Sequence, residues 1–263
     1  REKLFRRTEK NQLGWFDIDG DGPAELVVGK KGFARAVRIE GDEIVVVDQF
    51  NARRPEDELS IPLAVDIEAD GQPELIFYEG RSGTLQLLRR DENDVMRYER
   101  SWGIGEVEPL FIGVGDGARL VSGLSQDAVE AGDGPLLMFN AGTFWRIGRN
   151  EPQWKLEKSF GFETDLEGVS FNQIASGDLN SDGQPEVLLL DGSNHVIEIL
   201  RADGEGGWLS TLHFTVFDEN RYYRGRKGAP SEPREILIED VTSDGKPDLI
   251  LLVHDRVLVF PQL

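Results

Sequence analysis

Four stretches of this chain place oxygen-bearing side chains at the same intervals: DIDGDGPAE from Asp17, DIEADGQPE from Asp66, DLNSDGQPE from Asp178 and DVTSDGKPD from Asp240. Positions 1, 3 and 5 carry carboxylate, amide or hydroxyl groups in every copy, position 6 is glycine and position 9 is an acid. In a loop, the alternating side chains converge on one point. The glycine permits the positive-φ turn that brings the position-7 carbonyl inward, and the acid at position 9 completes an oxygen shell directly or through water. That is chemistry for a hard divalent cation, Ca2+ above all. Reaction chemistry is thinner: His195, His213 and His254 occur singly, with no His-x-x-x-His pair and no Gly-x-Ser-x-Gly elbow, so each reads as a core or surface histidine rather than a base.

The elements that hold these loops are short β-type runs. Around the first loop lie LGWF, ELVVG, FARAVRIE and EIVVVDQF; around the second lie IPLAV, ELIFYEG, TLQLLRR and VMRYERSW, each split from the next by Gly, Asp or Asn turns. The Asp-Gly pairs at Asp21 and Asp70 are 49 residues apart, a period that fits propeller blades. A third unit puts Asp116-Gly117 in the expected place, but Ile112 and Val114 replace the liganding acids, so this loop is expected to hold no metal. A fourth unit has FNQIASG, EVLLLDG, HVIEILRA and WLSTLHFTVF; a fifth has EILIE, DLILLVH and RVLVFPQ and then stops one strand short. The expectation is an all-β chain, a single domain over 1–263, built as a β-propeller of five four-stranded blades near 11–50, 60–103, 107–163, 171–218 and 234–263. Residues 1–10, through Lys3 to Thr8, are expected to supply the missing outer strand and close the ring, which removes exposed sheet edges. A fragment of a larger propeller is the competing architecture.

The loops match the first nine residues of an EF-hand loop but are not EF-hands. Their twelfth positions are Val28, Phe77, Leu189 and Leu251, and β-rich runs follow where a helix would stand. The spacing in a strand-loop-strand setting resembles the FG-GAP and VCBS repeats of integrin-type and bacterial secreted propellers. The resemblance spans nearly the whole chain and implies up to four Ca2+ ions. It assigns Asp17, Asp19, Asp21 and Glu25 to the first ion and Asp66, Glu68, Asp70 and Glu74 to the second. Asp178, Asn180, Asp182 and Glu186 go to the third, and Asp240, Thr242, Asp244 and Asp248 to the fourth. The carbonyls of Pro23, Gln72, Gln184 and Lys246 join them. Integrin-type repeats carry Gly-Ala-Pro just after the ligand loop, whereas the Gly228-Ala229-Pro230 here precedes one, which moves the resemblance toward the bacterial form. A shell filled by protein leaves no open position for a substrate, so the ions read as structural staples.

Composition narrows the partners. Acids outnumber Lys plus Arg by 49 to 29, a net charge of −20, which argues against nucleic acid and anionic membranes. No apolar run reaches the roughly 20 residues of a membrane-spanning helix. The chain has no cysteine, so no disulfide frame exists. Calcium points outward, to an extracellular, cell-surface or periplasmic setting. By strand parity the acidic loops share one end of the blades, and the long connections Asn51–Ser60, Ser125–Gly134 and Asp218–Pro233 emerge at the other, where binding is usually built. The last of these concentrates basic and aromatic residues: Arg221, Tyr222, Tyr223, Arg224, Arg226 and Lys227. With Arg53 and Arg54 they form a candidate surface for an acidic protein segment or acidic glycan. The expected function is a calcium-stabilised binding module for protein or carbohydrate. The alternatives are a carbohydrate-active enzyme, glycosidase or polysaccharide lyase, working in the propeller funnel, and a structural spacer.

Overall fold

The computed structural model describes residues 6–19, 21–41, 43–66, 72–105, 108–114, 121–122, 136–140, 143–148, 155–158, 162, 164–204, 207–217, 232–254 and 256–262. Apart from a 3-10 turn at Lys10–Gln12, its regular structure is all β. The first sheet runs β1 (Leu13–Phe16), β2 (Glu25–Gly29), β3 (Phe33–Glu40), β4 (Glu43–Asn51) in spatial order. The second runs β5 (Leu59–Val65), β6 (Glu74–Glu79), β7 (Thr84–Arg90), β8 (Met96–Gly103). The third holds β9 (Phe111–Val114), β10 (Val121–Ser122), β11 (Leu136–Asn140), β12 (Thr143–Gly148) and β13 (Lys155–Lys158). The fourth holds β14 (Gln173–Gly177), β15 (Glu186–Asp191), β16 (Val196–Ala202) and β17 (Trp208–Thr215), and the fifth β18 (Glu235–Glu239), β19 (Asp248–Val253) and β20 (Arg256–Phe260). Sheets one, two, four and five are up-and-down antiparallel meanders, the blade pattern of a five-bladed β-propeller.

The third sheet keeps that progression as β9-β11-β12-β13 and adds β10 on the far side of β9, making five strands. In the fifth sheet three strands are present among the described residues. Of the segment expected to complete it, residues 1–5 lie outside the described residues. Arg6 and Arg7 form a turn, and Lys30 of the first blade donates through Nζ to the Arg6 carbonyl (3.4 Å) and the Thr8 hydroxyl (2.5 Å).

Burial follows strand position. The second strands β6 and β15 are buried at every residue, whereas the fourth strands β4 and β17 are mostly exposed. Short, wholly apolar runs such as LIFY and VLLL are what a strand covered on both faces requires. Each fully buried Leu, Ile or Phe contributes about 1.5–3 kcal/mol of transfer free energy. The pairing of third with fourth strand slips at one equivalent place in three blades, between Ala36 and Val37, Leu87 and Leu88, and Ile199 and Leu200, which leaves Val47, Glu99 and Thr211 as bulged residues.

The chain separates into two compact units, one built on residues 1–115 with 121–138 and 146–157, the other on 158–263 with 116–120 and 139–145. Within the first, β2 lies so close to the start of β5 that a Cβ on Gly29 would collide with the Leu59 carbonyl. Gly177 is similarly pressed by the Ile238 side chain in the second unit. Gly29→Ala is expected to lower the unfolding free energy by about 1–3 kcal/mol, the usual cost of overpacking. Urea denaturation checks this, and Gly103→Ala, also in a strand and without a positive φ, whose Cβ meets nothing within 4 Å, separates crowding from the general effect of replacing a strand glycine.

Candidate functional site

Three of the four acidic loops are described in enough detail to compare, and they close by the same hydrogen bonds. The position-1 aspartate accepts the backbone N–H of the position-6 glycine: Gly22 to Asp17 (2.9 Å), Gly183 to Asp178 (2.9 Å) and Gly245 to Asp240 (2.8 Å). The position-9 acid reaches back to the N–H of position 2: Ile18 to Glu25 (3.0 Å), Leu179 to Glu186 (2.8 Å) and Val241 to Asp248 (3.0 Å). Those glycines have φ between 84° and 105°, the left-handed turn expected from the spacing. Position 4 is also left-handed in the last two loops, at Ser181 (φ 58°) and Ser243 (φ 60°).

In each of these loops the position-9 acid is a buried clamp as much as a ligand candidate, since Glu25, Glu186 and Asp248 are at most 5% exposed. Glu186 also accepts the Asn180 amide at 2.6 Å; burial, then the charges of Asp182 and Asp178, raise its pKa, against an opposing hydrogen bond from Leu179. Asp248 sits lower than an ordinary aspartate: burial works against this, but the N–H groups of Gln262, Val241 and Thr242 and the Thr242 hydroxyl outweigh it. Thr242 is thereby committed to Asp248. Gln184 and Lys246 donate their N–H groups to Asp182 (2.8 Å) and Asp244 (2.9 Å), and Pro23 holds the matching position in the first loop. In the second loop Asp66, Gln72 and Glu74 are described, while Glu68 and Asp70 lie outside the described residues.

The first loop differs in one respect. One oxygen each from Asp17, Asp19 and Asp21 lies within 4.8 Å of the others, and the Arg38 guanidinium is inserted among the acids. Its Nε donates to Glu25 (2.8 Å), Nη1 to Asp21 (2.8 Å) and Nη2 to Asp21 (3.1 Å), Asp19 (3.3 Å) and Glu25. Those bonds, Glu25 first and Asp21 second, raise the arginine pKa further above its ordinary value. Arg89 occupies the same cross-strand place in the second blade, 3.0 Å from Glu74 and 3.4 Å from Glu99. Neither arginine was singled out by spacing along the chain; the signal is cross-strand register.

The opposite end of the blades carries a second repeated device that sequence reading missed. Among the described residues, the second-to-third-strand turns of the first, second, fourth and fifth blades are tied to the segment entering their own blade. Glu79 accepts N–H groups from Glu58 (3.3 Å), Arg81 (3.0 Å) and Ser82 (2.9 Å), together with the Ser82 hydroxyl. Asp191 accepts those of Ser170 (2.7 Å), Ser193 (2.8 Å) and Asn194 (3.0 Å) and the Asn194 amide (2.8 Å). Burial alone would raise both pKa values, but these bonds hold both below the ordinary carboxylate range. In the fifth blade the carboxylate comes from the other partner: Glu232, in the incoming segment, accepts the His254 N–H of the turn. In the first, Lys30 bridges to Thr8. The available sequence signal was the acid-glycine pair ending two apolar runs, Glu79-Gly80 and Asp191-Gly192.

Of the residues expected to receive a ligand, Arg53 and Arg54 lie at this end and are partly engaged. Arg53 lies over the Tyr98 ring at 5.8 Å, and Arg54 pairs through Nε with the buried Asp57 at 3.0 Å, which also takes the Gln86 amide at 2.7 Å. Lys31 and Arg81 are exposed beside them: Lys31 pairs through its backbone with Glu58 in an isolated antiparallel β-bridge, and Arg81 Nη1 donates to the Glu56 carbonyl. Within the first unit the acidic-loop end holds Asp17, Asp19, Asp21, Glu25, Asp91 and Asp94 with Arg38, Arg90 and Arg97 paired among them, whereas the other end holds Arg6, Arg7, Lys30, Lys31, Arg53, Arg54 and Arg81 beside Glu56, Asp57, Glu58 and Glu79. Arg221, Tyr222, Tyr223, Arg224, Arg226 and Lys227 lie outside the described residues, as does Ser125–Gly134. The histidines are not assembled into a base: His195 stacks on Phe217 at 4.2 Å and bonds the Glu232 carbonyl through Nδ1 at 2.6 Å, and His254 Nδ1 is 3.7 Å from the Glu232 carboxylate. Trp208 stacks on Phe144 and is buried, as blade packing requires.

The fold and its loops define a β-propeller with acidic first-to-second-strand loops. No family model matches the chain, and no curated protein matches it either. Among solved structures it is similar to a crystal structure of a protein from Lactobacillus plantarum, a structural genomics target, at 10% identity and a TM-score of 0.50 over 97% of this chain and 71% of that one. At that identity the likeness concerns the fold alone.

Proposed function

We propose that the chain is a calcium-stabilised propeller acting as a binding module outside the cell, taking calcium in the loops at 178–186 and 240–248 and an anionic protein segment or carbohydrate at the opposite end of the blades. The observation that carries the binding reading is the uneven charge of the first unit, where, in a protein of net charge −20, exposed Arg6, Arg7, Lys31, Arg53, Arg54 and Arg81 outnumber exposed Glu56 and Glu58 at the end away from the acidic loops. Local potential of that kind steers an anionic partner to one face.

The donor sets of the two later loops suit a hard cation. Asp178, Asn180 and Asp182 in one, and Asp240 and Asp244 in the other, offer carboxylate and amide oxygens that accept N–H groups of their own loops, although among the described residues only Asp17, Asp19 and Asp21 bring three acid oxygens within 4.8 Å of one another, and Arg201, the basic residue nearest in register to Glu186, is exposed. Bound calcium would supply positive charge to hold these oxygens together.

Two measurements test the reading. Saturating Ca2+ at about 100 times its Kd is expected to stabilise the fold by about 2.7 kcal/mol per site relative to EDTA, read as a raised melting temperature; an unchanged melt overturns the calcium assignment. Binding to immobilised acidic polysaccharide or polyglutamate, strongest at low salt, is expected to fall at least tenfold in a Lys31→Glu/Arg81→Glu variant. Equal retention of variant and parent overturns the binding face.

A further inference from the structure

We infer that the first acidic loop is closed by an internal cation, the Arg38 guanidinium, and takes no metal. The pairing of Leu26 with Val37 places Arg38 beside Glu25 on the neighbouring strand, and the side chain, 22% exposed, reaches over the loop. It makes hydrogen bonds to the acids at positions 3, 5 and 9, with Asp21 gripped by both Nη1 and Nη2. A planar guanidinium with five donors matches carboxylates in this forked way, and charge-assisted bonds of this type are the strong ones. Calcium needs six to eight oxygens at about 2.3–2.6 Å. Oxygens of Asp19, Asp21 and Glu25 are turned toward the arginine, and a divalent ion among them would sit against a fixed positive charge.

Register shows how far the device extends. Leu75 pairs with Leu88, which sets Arg89 beside Glu74, and the two are bonded. Val187 pairs with Leu200, which sets Arg201 beside Glu186, but there the Asn180 amide takes the glutamate and Arg201 is exposed. In the fifth blade the pairing of Leu249 with Phe260 puts Pro261, which has no side-chain donor, beside Asp248. Among the described residues an arginine thus meets the position-9 acid in the first and second blades and not in the fourth and fifth. This deepens the calcium reading above, yet the claim for the first loop stands or falls separately from it.

The test is hydrogen exchange with mass spectrometry on the full chain, following a peptide over 13–29 and one over 173–190, with and without EDTA, in the parent and in Arg38→Gln. Protection over 13–29 in the parent is expected to be the same in EDTA and in Ca2+. In Arg38→Gln it is expected to fall at least tenfold in EDTA and to return with Ca2+, while a calcium titration gains one site. Loss of parental protection over 13–29 on chelation overturns the inference, as does an Arg38→Gln loop that stays protected in EDTA. If Arg38→Gln fails to fold, the parental peptide decides alone by the same criterion. Failure of the calcium reading shows elsewhere, as a 173–190 peptide indifferent to EDTA.

Discussion

Asp191→Ala is expected to lower the unfolding free energy by about 3–5 kcal/mol. The side chain is 1% exposed and accepts three backbone N–H groups and the Asn194 amide. Truncation leaves those donors facing a cavity, and each buried unsatisfied polar group costs about 1–3 kcal/mol, with water recovering part of it. Asp191→Asn retains one acceptor oxygen but sets an NH2 against N–H donors, so it is expected to recover less than half of the loss. Urea unfolding of both variants is the check, and an Asp191→Ala loss below about 1 kcal/mol would mean that solvent replaces the carboxylate. Glu79→Ala makes the parallel case in the second blade.

Acid is expected to unfold the protein through the same groups. Glu79, Asp191 and Asp248 titrate lower in the folded chain than an ordinary carboxylate. Each therefore contributes stability that is fully present above the unfolded values, near pH 4, and is lost as pH falls through the lower folded values. Glu186 has the opposite sign: its raised folded value means that the native state takes up that proton first, so its share of stability increases as pH falls toward that value. Without added metal, the melting temperature is expected to change little or rise slightly from pH 7 toward 5 and then to drop steeply below 4. Melts across that range check it. In Asp191→Asn the steep limb should flatten, since one of the titrating groups is gone, and a limb of unchanged steepness would show that Asp191 does not drive it.

Much of the fold was legible because the acidic loops recur in register with apolar runs. LGWF became β1, ELVVG β2 and EVLLLDG β15 to within a residue or two, and EILIE, DLILLVH and RVLVFPQ became the three strands described in the fifth sheet. What escaped depends on neighbours across strands. Arg38 lies 13 residues from Glu25 and meets it only through the β2-β3 pairing. The recurrent bulge inserts a single residue with no marker of its own, Val47 in one blade and Glu99 in another. The run ARLVSGL reads as part of the third unit and holds β10 at Val121–Ser122, but its place on the far side of β9 is set by strand pairing. Glu79 and Asp191 each precede a glycine at the end of an apolar run, and an acid before glycine looks like any turn until its N–H partners are known.

The tie between these turns and the segments entering their blades also bears on how such a chain tolerates change. The connection before β5 is residues 52–58, whereas the one before β18 is 216–234, and both end at a carboxylate bond to the next blade, Glu58 N–H on Glu79 and Glu232 on the His254 N–H. Because a side chain sets where the strand begins, the length of what comes before is uncoupled from register. Connections at that end can lengthen, shorten or diversify in sequence while the blades stay in step. The scaffold is in that sense a modular chassis in which a blade carries its exchangeable part at a fixed end of its own strands.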